Sequence, residues 1–361
     1  MPEVLLFGAT GYTGRLTAHA LARRGADFAI SGRDRTKLER LGAETGDPEI
    51  RVAAVGDVDA LADALSDVTV LITCVGPFVE LGATAVEAAL KAGVHYIDST
   101  GEGSFIADLI TTKSEAAAAA GIAMAPAVGF DEVPADFAAT RATEGLDGSD
   151  LTLTYALPTA GSRGTIRSAL GIAGSKGQWI RNGMPVPIRI GEHQRWAPLP
   201  PPLGPRSSIS FPLAEGHLAP LHLNLNSLEI YLTAGNAQQV ALRTLNPILG
   251  LFSSEPVKAV VDRLVEFLPE GPNDEQRRRG RWTILAEARS GADWRNVVVT
   301  GTDVYGLTAE FLSAGALKIA REGPDQTGVV SPVQAMGNEM FEKLFPEVGI
   351  NVDVFEERPT H

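Results

Sequence analysis

Seven residues near the start of the chain, Gly8-Ala9-Thr10-Gly11-Tyr12-Thr13-Gly14, directly follow a short apolar run and lead into a helix-like segment. A glycine-rich turn from a buried strand into a helix leaves few architectures open. The first glycine permits the tight turn, the second lets backbone N–H groups approach a pyrophosphate, and the third lets the helix lie close to the sheet. Partial positive charge at the helix N-terminus then favours phosphates. The spacing, G-x-x-G-x-x-G, is a variant of the dinucleotide fingerprint, and its position between strand and helix is what gives it meaning.

The pattern downstream agrees. Apolar runs at 4–7, 28–31, 50–55, 68–75, 94–97 and 122–125 predict strands, with helices over 13–24, 35–45, 58–65, 84–92 and 109–120. Continuous Val/Ile/Leu strands separated by helices predict a parallel sheet buried on both faces, hence an α/β, Rossmann-type doubly wound fold. After about residue 145 the texture changes. Residues 151–155, 227–232, 281–289 and 294–300 alternate apolar with polar, and Ser-Gly-Ala-Asp at 290–293 reads as a hairpin turn. This predicts a second α+β domain on a mixed or antiparallel sheet, with helices at 165–181, 237–250, 255–268 and 304–321. The proline-rich run 198–205 reads as a stiff surface loop. The expected division is 1–145 for nucleotide binding and 146–303 for substrate or dimerisation. A C-terminal segment, 304–361, is expected to pack back on the first domain and complete it with a helix from within 304–346.

Composition bounds the partners. With 31 Lys+Arg against 44 Asp+Glu the net charge is −13, which argues against a nucleic-acid partner, because phosphate backbones need clustered cations. One cysteine excludes a disulfide framework and fits a reducing compartment. No apolar run reaches the ~18 residues that a spanning helix needs, so the expectation is a cytoplasmic protein without a transmembrane segment. No histidine has metal-ligand spacing to nearby carboxylates, so no metal is assigned.

The end of the second strand selects the dinucleotide. An NAD site needs an acid there for the ribose 2′-hydroxyl. Here Ser31 stands in that place, with Arg33 and Lys37 just beyond, and Arg33 offers a planar charged fork to a 2′-phosphate. The expected cofactor is therefore NADP(H), although Asp34 could pair with Arg33 or reach the ribose. Two further loops lie at the carboxyl ends of strands, where ligands of such sheets bind. Asp57 could accept from the adenine amino group or cap a helix. Val75-Gly76-Pro77-Phe78 would run beside the nicotinamide ribose. Cys74 reads as a small buried residue, not a nucleophile.

The fingerprint, Ser31–Asp34, Val75–Phe78, Val94-His95-Tyr96-Ile97-Asp98, Ser99-Thr100-Gly101-Glu102, Gly129–Asp136 and Val333–Gly337 together resemble the saccharopine-dehydrogenase-like oxidoreductases. More narrowly, they resemble the actinobacterial trans-acting enoyl reductase group. The resemblance runs nearly end to end. It implies an NADP-binding Rossmann domain whose helical layer is completed from the C-terminal part, and a mixed-sheet substrate domain.

Hydride transfer needs a polarised acceptor and often a proton donor. The candidates at strand ends are Tyr96, Asp98, Glu102 and Asp131, with Thr100 beside them. Asp98 and Glu102 could form a carboxylate pair, or could cap loops and helices. In the second half Arg163 and Arg167, four apart on a helix, could clamp a substrate carboxylate or phosphate, or could form surface salt bridges. Three functions follow. One is reduction of an enoyl thioester or lipid-like acceptor by NADPH. Another is an opine- or saccharopine-type reduction of a C=N bond, and the third is a non-catalytic NADP-binding module. A small-molecule or acyl substrate fits the first two, and a homodimer stays open.

Overall fold

The computed structural model describes residues 1–158, 162–163, 177–235, 263, 267 and 269–357, which fall into two compact units. The first comprises residues 1–101, 105–133 and 304–342. Its sheet holds β1 (Val4–Phe7), β2 (Phe28–Gly32), β3 (Glu49–Val52), β4 (Val70–Thr73), β5 (His95–Asp98), β6 (Ala123–Ala125) and the two-residue β15 (Gly328–Val329). They lie in the order β15-β6-β5-β4-β1-β2-β3, and every pair is parallel. Leu5, Leu6, Ile30, Leu71, Ile72 and Ile97 are fully buried, as continuous apolar strands covered on both faces must be. The strand order reverses between β1 and β4, so the loops after these two strands flank the switch point where a dinucleotide sits.

The helices α1 (Tyr12–Arg23), α2 (Arg35–Glu44), α3 (Val58–Ala64), α4 (Phe78–Leu81), α5 (Ala83–Ala92) and α6 (Gly103–Ala119) connect these strands. The sixth begins earlier than its alanine-rich stretch indicates, because Phe105 and Ile106 are buried and give its first turn an apolar anchor. The layer also takes in the helix Val304–Glu322, which packs on α1. Glu310 receives Arg23 at 2.7 Å and Arg24 at 2.6 Å, and Tyr12 meets Tyr305 edge to face with ring centroids 5.1 Å apart.

The second unit comprises residues 102–104, 134–303 and 343–361. Its mixed sheet runs β10 (Gln194–Ala197), β11 (Arg206–Ser210), β12 (Leu225–Thr233), β7 (Ser149–Ala156), β13 (Trp282–Ser290), β14 (Asp293–Gly301) and β16 (Asn351–Glu357). The hairpin β8 (Gly177–Arg181) and β9 (Met184–Ile188) joins it at β12. Only the β7–β12 pair is parallel within this path. The register places Leu151, Leu153, Tyr155, Ile230, Ile284, Val297 and Val299 on one face, all buried. The hairpin turn expected at 290–293 pairs Ser290 with Asp293.

Several expectations meet a different structure. Residues 177–181, expected to finish a helix, form β8, because Trp179 and Ile180 are drawn into the sheet core. The helices expected at 237–250 and 255–268 fall almost entirely outside the described residues, as does Arg167. The 198–205 run is a loop, but it is not purely superficial: Leu199 is buried against Ala197, Leu285 and Val298. The unit boundary lies at 133/134 instead of 145/146, inside a helix, α7 (Glu132–Thr143), that the strand-centred pattern did not single out. The 304–361 segment divides: residues to 342 lie with the first unit, while β16 pairs with β14 in the second. Among the described residues no helix is long and apolar enough to cross a membrane.

Arg295 fastens the second unit's helix end. It is 6% exposed, donates to the carbonyls of Arg141 and Glu144 at 2.9 and 2.8 Å, and pairs with Glu356 at 2.7 Å. One guanidinium thus binds two carbonyls at the end of α7 and fixes edge strand β16. Arg295→Ala is expected to lower unfolding stability by about 2–3 kcal/mol in urea titration, since buried bonds to a charged donor are lost together. A loss under ~0.5 kcal/mol, the range of ordinary surface changes, would contradict this role.

Candidate functional site: a dinucleotide cradle beside a seated carboxyl

The cradle is made of backbone. Gly8 takes φ +79°, a conformation open to glycine, and a Cβ there would lie 2.6 Å from Val75 Cγ2. The Gly8 and Ala9 N–H groups donate to the Ser31 carbonyl at 3.0 and 3.2 Å, which ties the fingerprint to the end of β2. At Gly14 a Cβ would meet the Gly8 carbonyl oxygen at 2.2 Å, so α1 can pass this close to the loop only without a side chain. Gly11 differs: its only near neighbour would be Gly8 O at 3.4 Å, so protein packing does not demand a glycine there. The bare backbone at Gly11 instead leaves room for a ligand. No side chain caps the N-terminus of α1, and no acid lies in its first turn, which suits bound phosphates. Arg15 donates to the Thr10 carbonyl at 3.1 Å and steadies the loop; Tyr12 and Thr13 open the helix.

Ser31 is fully buried, and its Oγ has no hydrogen-bond partner among the described residues, an orphan that a ribose or 2′-phosphate oxygen would satisfy. Arg33 and Lys37 are exposed just beyond it. Asp34 is occupied elsewhere. Its carboxylate caps α2 by accepting from Lys37 N at 3.1 Å, and Lys37 Nζ lies 4.0 Å away. Asp57 likewise caps α3 through Ala60 N at 3.0 Å. The Val75–Phe78 loop carries a cis Gly76–Pro77 bond, and Phe78 is buried against Phe105. These residues fit a 2′-phosphorylated dinucleotide.

Next to the switch point the strands β5 and β6 end in a hydrogen-bonded knot. Tyr96 is fully buried, and its hydroxyl donates to Asp98 Oδ2 at 2.6 Å. Asp98 Oδ1 accepts from Thr100 N at 2.8 Å and Ala127 N at 2.9 Å, and its carbonyl accepts from Val128 N at 2.7 Å. Burial, with the Asp98 carboxylate beside it, pushes the Tyr96 phenol well up. Burial also pushes the Cys74 thiol up to about 12 against hydrogen bonds with Thr17 and Ser99, so it stays protonated and unreactive at neutral pH. Tyr96 and Asp98, candidates for the chemistry on sequence grounds, are thus fully inside the protein and hold its backbone.

Asp131 is the candidate the structure places differently. Its Oδ1 lies 2.9 Å from where a Gly129 Cβ would be, and its Oδ2 3.6 Å from where a Gly101 Cβ would be. The carboxyl therefore rests between two glycine backbones at the carboxyl ends of β5 and β6. It is half-buried, and desolvation raises its pKa against the N–H groups of Asp131 and Glu132. Glu102 is buried and falls with the second unit, so the sequence-based pairing with Asp98 gains no support from the first unit's geometry. Arg163 uses its backbone N–H toward Glu270 O at 3.1 Å. In the second unit His222 Nε2 lies 2.7 Å from Asp136 Oδ1. That pair escaped the sequence because 86 positions separate its members and only three-dimensional packing joins them.

Residues 4–125 match the model of the saccharopine dehydrogenase NADP binding domain. A protein of Mycobacterium ulcerans named trans-acting enoyl reductase is 26% identical, covering 97% of this chain and 97% of its own. Another of that name, from Mycobacterium tuberculosis strain H37Rv, is 26% identical over 96% of each chain. Among solved structures, apo saccharopine dehydrogenase (L-Glu forming) from Saccharomyces cerevisiae shares the fold. Its TM-score is 0.65 at 13% identity, over 99% of this chain and all of that one. Arg33→Ala is expected to weaken NADPH binding about tenfold or more, as loss of a charge-assisted bond does, with NADH affinity unchanged. Cofactor fluorescence titration measures both, and equal losses for the two would remove Arg33 from the 2′-phosphate.

Proposed function

We propose that this chain, similar in residues 4–125 to the saccharopine dehydrogenase NADP binding domain and nearly end to end to proteins named trans-acting enoyl reductase, is an NADP-dependent oxidoreductase that reduces the conjugated double bond of an enoyl thioester or similar acyl acceptor, with Asp131 as proton donor. The acceptor class follows the names of the relatives. The observation that carries the role of Asp131 is its glycine-lined seat beside the dinucleotide switch point. NADPH, when bound, supplies the hydride. A conjugated carbonyl reduced at its β-carbon accumulates negative charge at the α-carbon and the carbonyl oxygen, and the α-carbon must then take a proton. A carboxyl whose pKa is raised by burial holds such a proton closer to neutral pH than an exposed aspartate would. Tyr96 cannot serve from its present position, since its hydroxyl proton lies in the bond to Asp98. Arg163 and Arg167 remain candidates for holding a carboxylate or phosphate of the substrate.

The test is NADPH oxidation measured across enoyl thioesters, imines formed in situ and simple ketones. Turnover is expected with the thioesters, and turnover confined to imines would replace this reading with a C=N reductase. NADPH binding without oxidation of any acceptor would favour a binding module. Asp131→Asn is expected to lower kcat about a hundredfold or more while leaving NADPH affinity near that of the parent. Because the protonated carboxyl is the active form, kcat should fall as pH rises through the raised pKa of Asp131. In Asp131→Asn that alkaline limb should be missing.

A further inference from the structure

We infer that Thr308, on a helix that rejoins the first unit more than a hundred residues after Asp131, is the positioning residue for the Asp131 carboxyl. The inference rests on the role of Asp131 proposed above. Thr308 is buried, and its Oγ1 accepts the backbone N–H of Phe130 at 3.1 Å. Its own hydroxyl proton goes to the Val304 carbonyl one turn back, at 2.9 Å. That donation fixes the hydroxyl rotor, so a lone pair faces Phe130 without being searched for. Phe130 sits between Gly129, over which Asp131 Oδ1 is folded, and Asp131 itself. The bond therefore grips the Gly129–Phe130 peptide, one residue before the one that bears the carboxyl.

Elsewhere in the loop Asp98 holds Ala127 and Val128, Gly129 N donates to the Ala127 carbonyl at 2.7 Å, and the Gly129 carbonyl accepts from Val133 N at 3.0 Å. Ala127 has a positive φ of 61°, a conformation an alanine keeps only when its surroundings impose it. Gly129 would place a Cβ 4.0 Å from Thr308 Oγ1, so loop and helix lie in direct apposition. The same face of the helix carries Tyr305, three residues earlier, whose ring meets Tyr12 of the fingerprint. One rigid element thus touches both the loop that holds phosphates and the loop that carries the acid. It sets the carboxyl at a fixed offset from the cofactor.

The experiment compares Thr308→Val, which keeps the shape and removes the hydroxyl, with Thr308→Ser, which keeps the hydroxyl. Amide hydrogen exchange at Phe130 in the protein without cofactor is expected to rise at least about tenfold in the valine variant and to stay near parental in the serine variant. In turnover assays the valine variant should lose about tenfold to a hundredfold in kcat, with the KM for NADPH unchanged, and the serine variant should recover most of it. Thr308→Ala substitutes if the valine variant does not fold. Unchanged exchange at Phe130 would overturn the inference, as would faster exchange with parental kcat. Asp131→Asn, run in parallel, separates the two failures. If it is fully active, the role of Asp131 falls; if it is inactive while Thr308→Val turns over normally, only the positioning role falls.

Discussion

The carboxylate of Asp98 holds the ends of two neighbouring strands in one register. Its two oxygens accept from the Tyr96 hydroxyl, from Thr100 at the exit of β5 and from Ala127 beyond β6. Those two backbone segments lead directly to Gly101 and Gly129, the two walls between which Asp131 lies. Past the last ladder pair the two strand exits are joined by the Val128 N–H to Asp98 carbonyl bond, and the side-chain clamp adds to it. A carboxylate with three donors inside the protein is strongly held, and removing one of its partners would leave a desolvated group unsatisfied. Asp98 therefore shapes the backbone from which Gly101 and Gly129 extend.

A similar economy governs the cofactor. The chain carries a net charge of −13, yet the fingerprint needs almost no cationic side chains. Glycines at 8 and 14 bring loop and helix within distances that no Cβ would allow, and the uncapped end of α1 presents N–H groups to phosphates. Net charge fixes which classes of polyanion are repelled at long range. The local arrangement of backbone dipoles acts at short range, and the exposed Arg33 and Lys37 at one corner are the side chains proposed to select the 2′-phosphate. The Asp34 carboxylate does not oppose this, since its cap on α2 points it at its own helix.

How much of this was legible in the sequence follows from the range of the interaction. Six of the seven strands of the first unit are written in local apolar runs and glycine turns, whereas the two-residue strand Gly328–Val329 carries no such run, and the fingerprint was recognisable within seven residues. The hairpin of β13 and β14 was legible for the same reason, its alternation being set by near neighbours. For Asp98 the sequence offered both a carboxylate pair and a loop cap, and the structure shows it accepting from loop amides; alternation along β5 cannot by itself tell a carboxylate facing a ligand from one facing the amide of Ala127, 29 positions away. The Asp136–His222 pair, the Thr308–Phe130 bond and the pairing of β16 with β14 join residues whose separation carries no periodic signal. In β16 the apolar Val352 and Val354 are interleaved with Asp353 and Glu356, and the strand reads as a charged tail until its partner is known.

The connectivity also explains why a tie such as Thr308–Phe130 is needed at this place. The chain leaves the first unit after Val133 and returns to it at Val304, so residues 134–303 form one long excursion. Such an insertion is compatible with a folded host only if the exit and the re-entry are held together within the host, and closing so long a loop carries an entropic cost. Phe130 lies just before the exit and Thr308 just after the re-entry, and the bond between them joins the two roots of the excursion inside the first unit. At the exit itself α7 runs on directly from Asp131, and the Thr308 bond together with the Val304–Glu322 helix, which Glu310 pins to Arg23 and Arg24, ties the preceding loop to the first unit. Within the first unit the loop that bears Asp131 and the start of α1 are thus both held by the one helix Val304–Glu322.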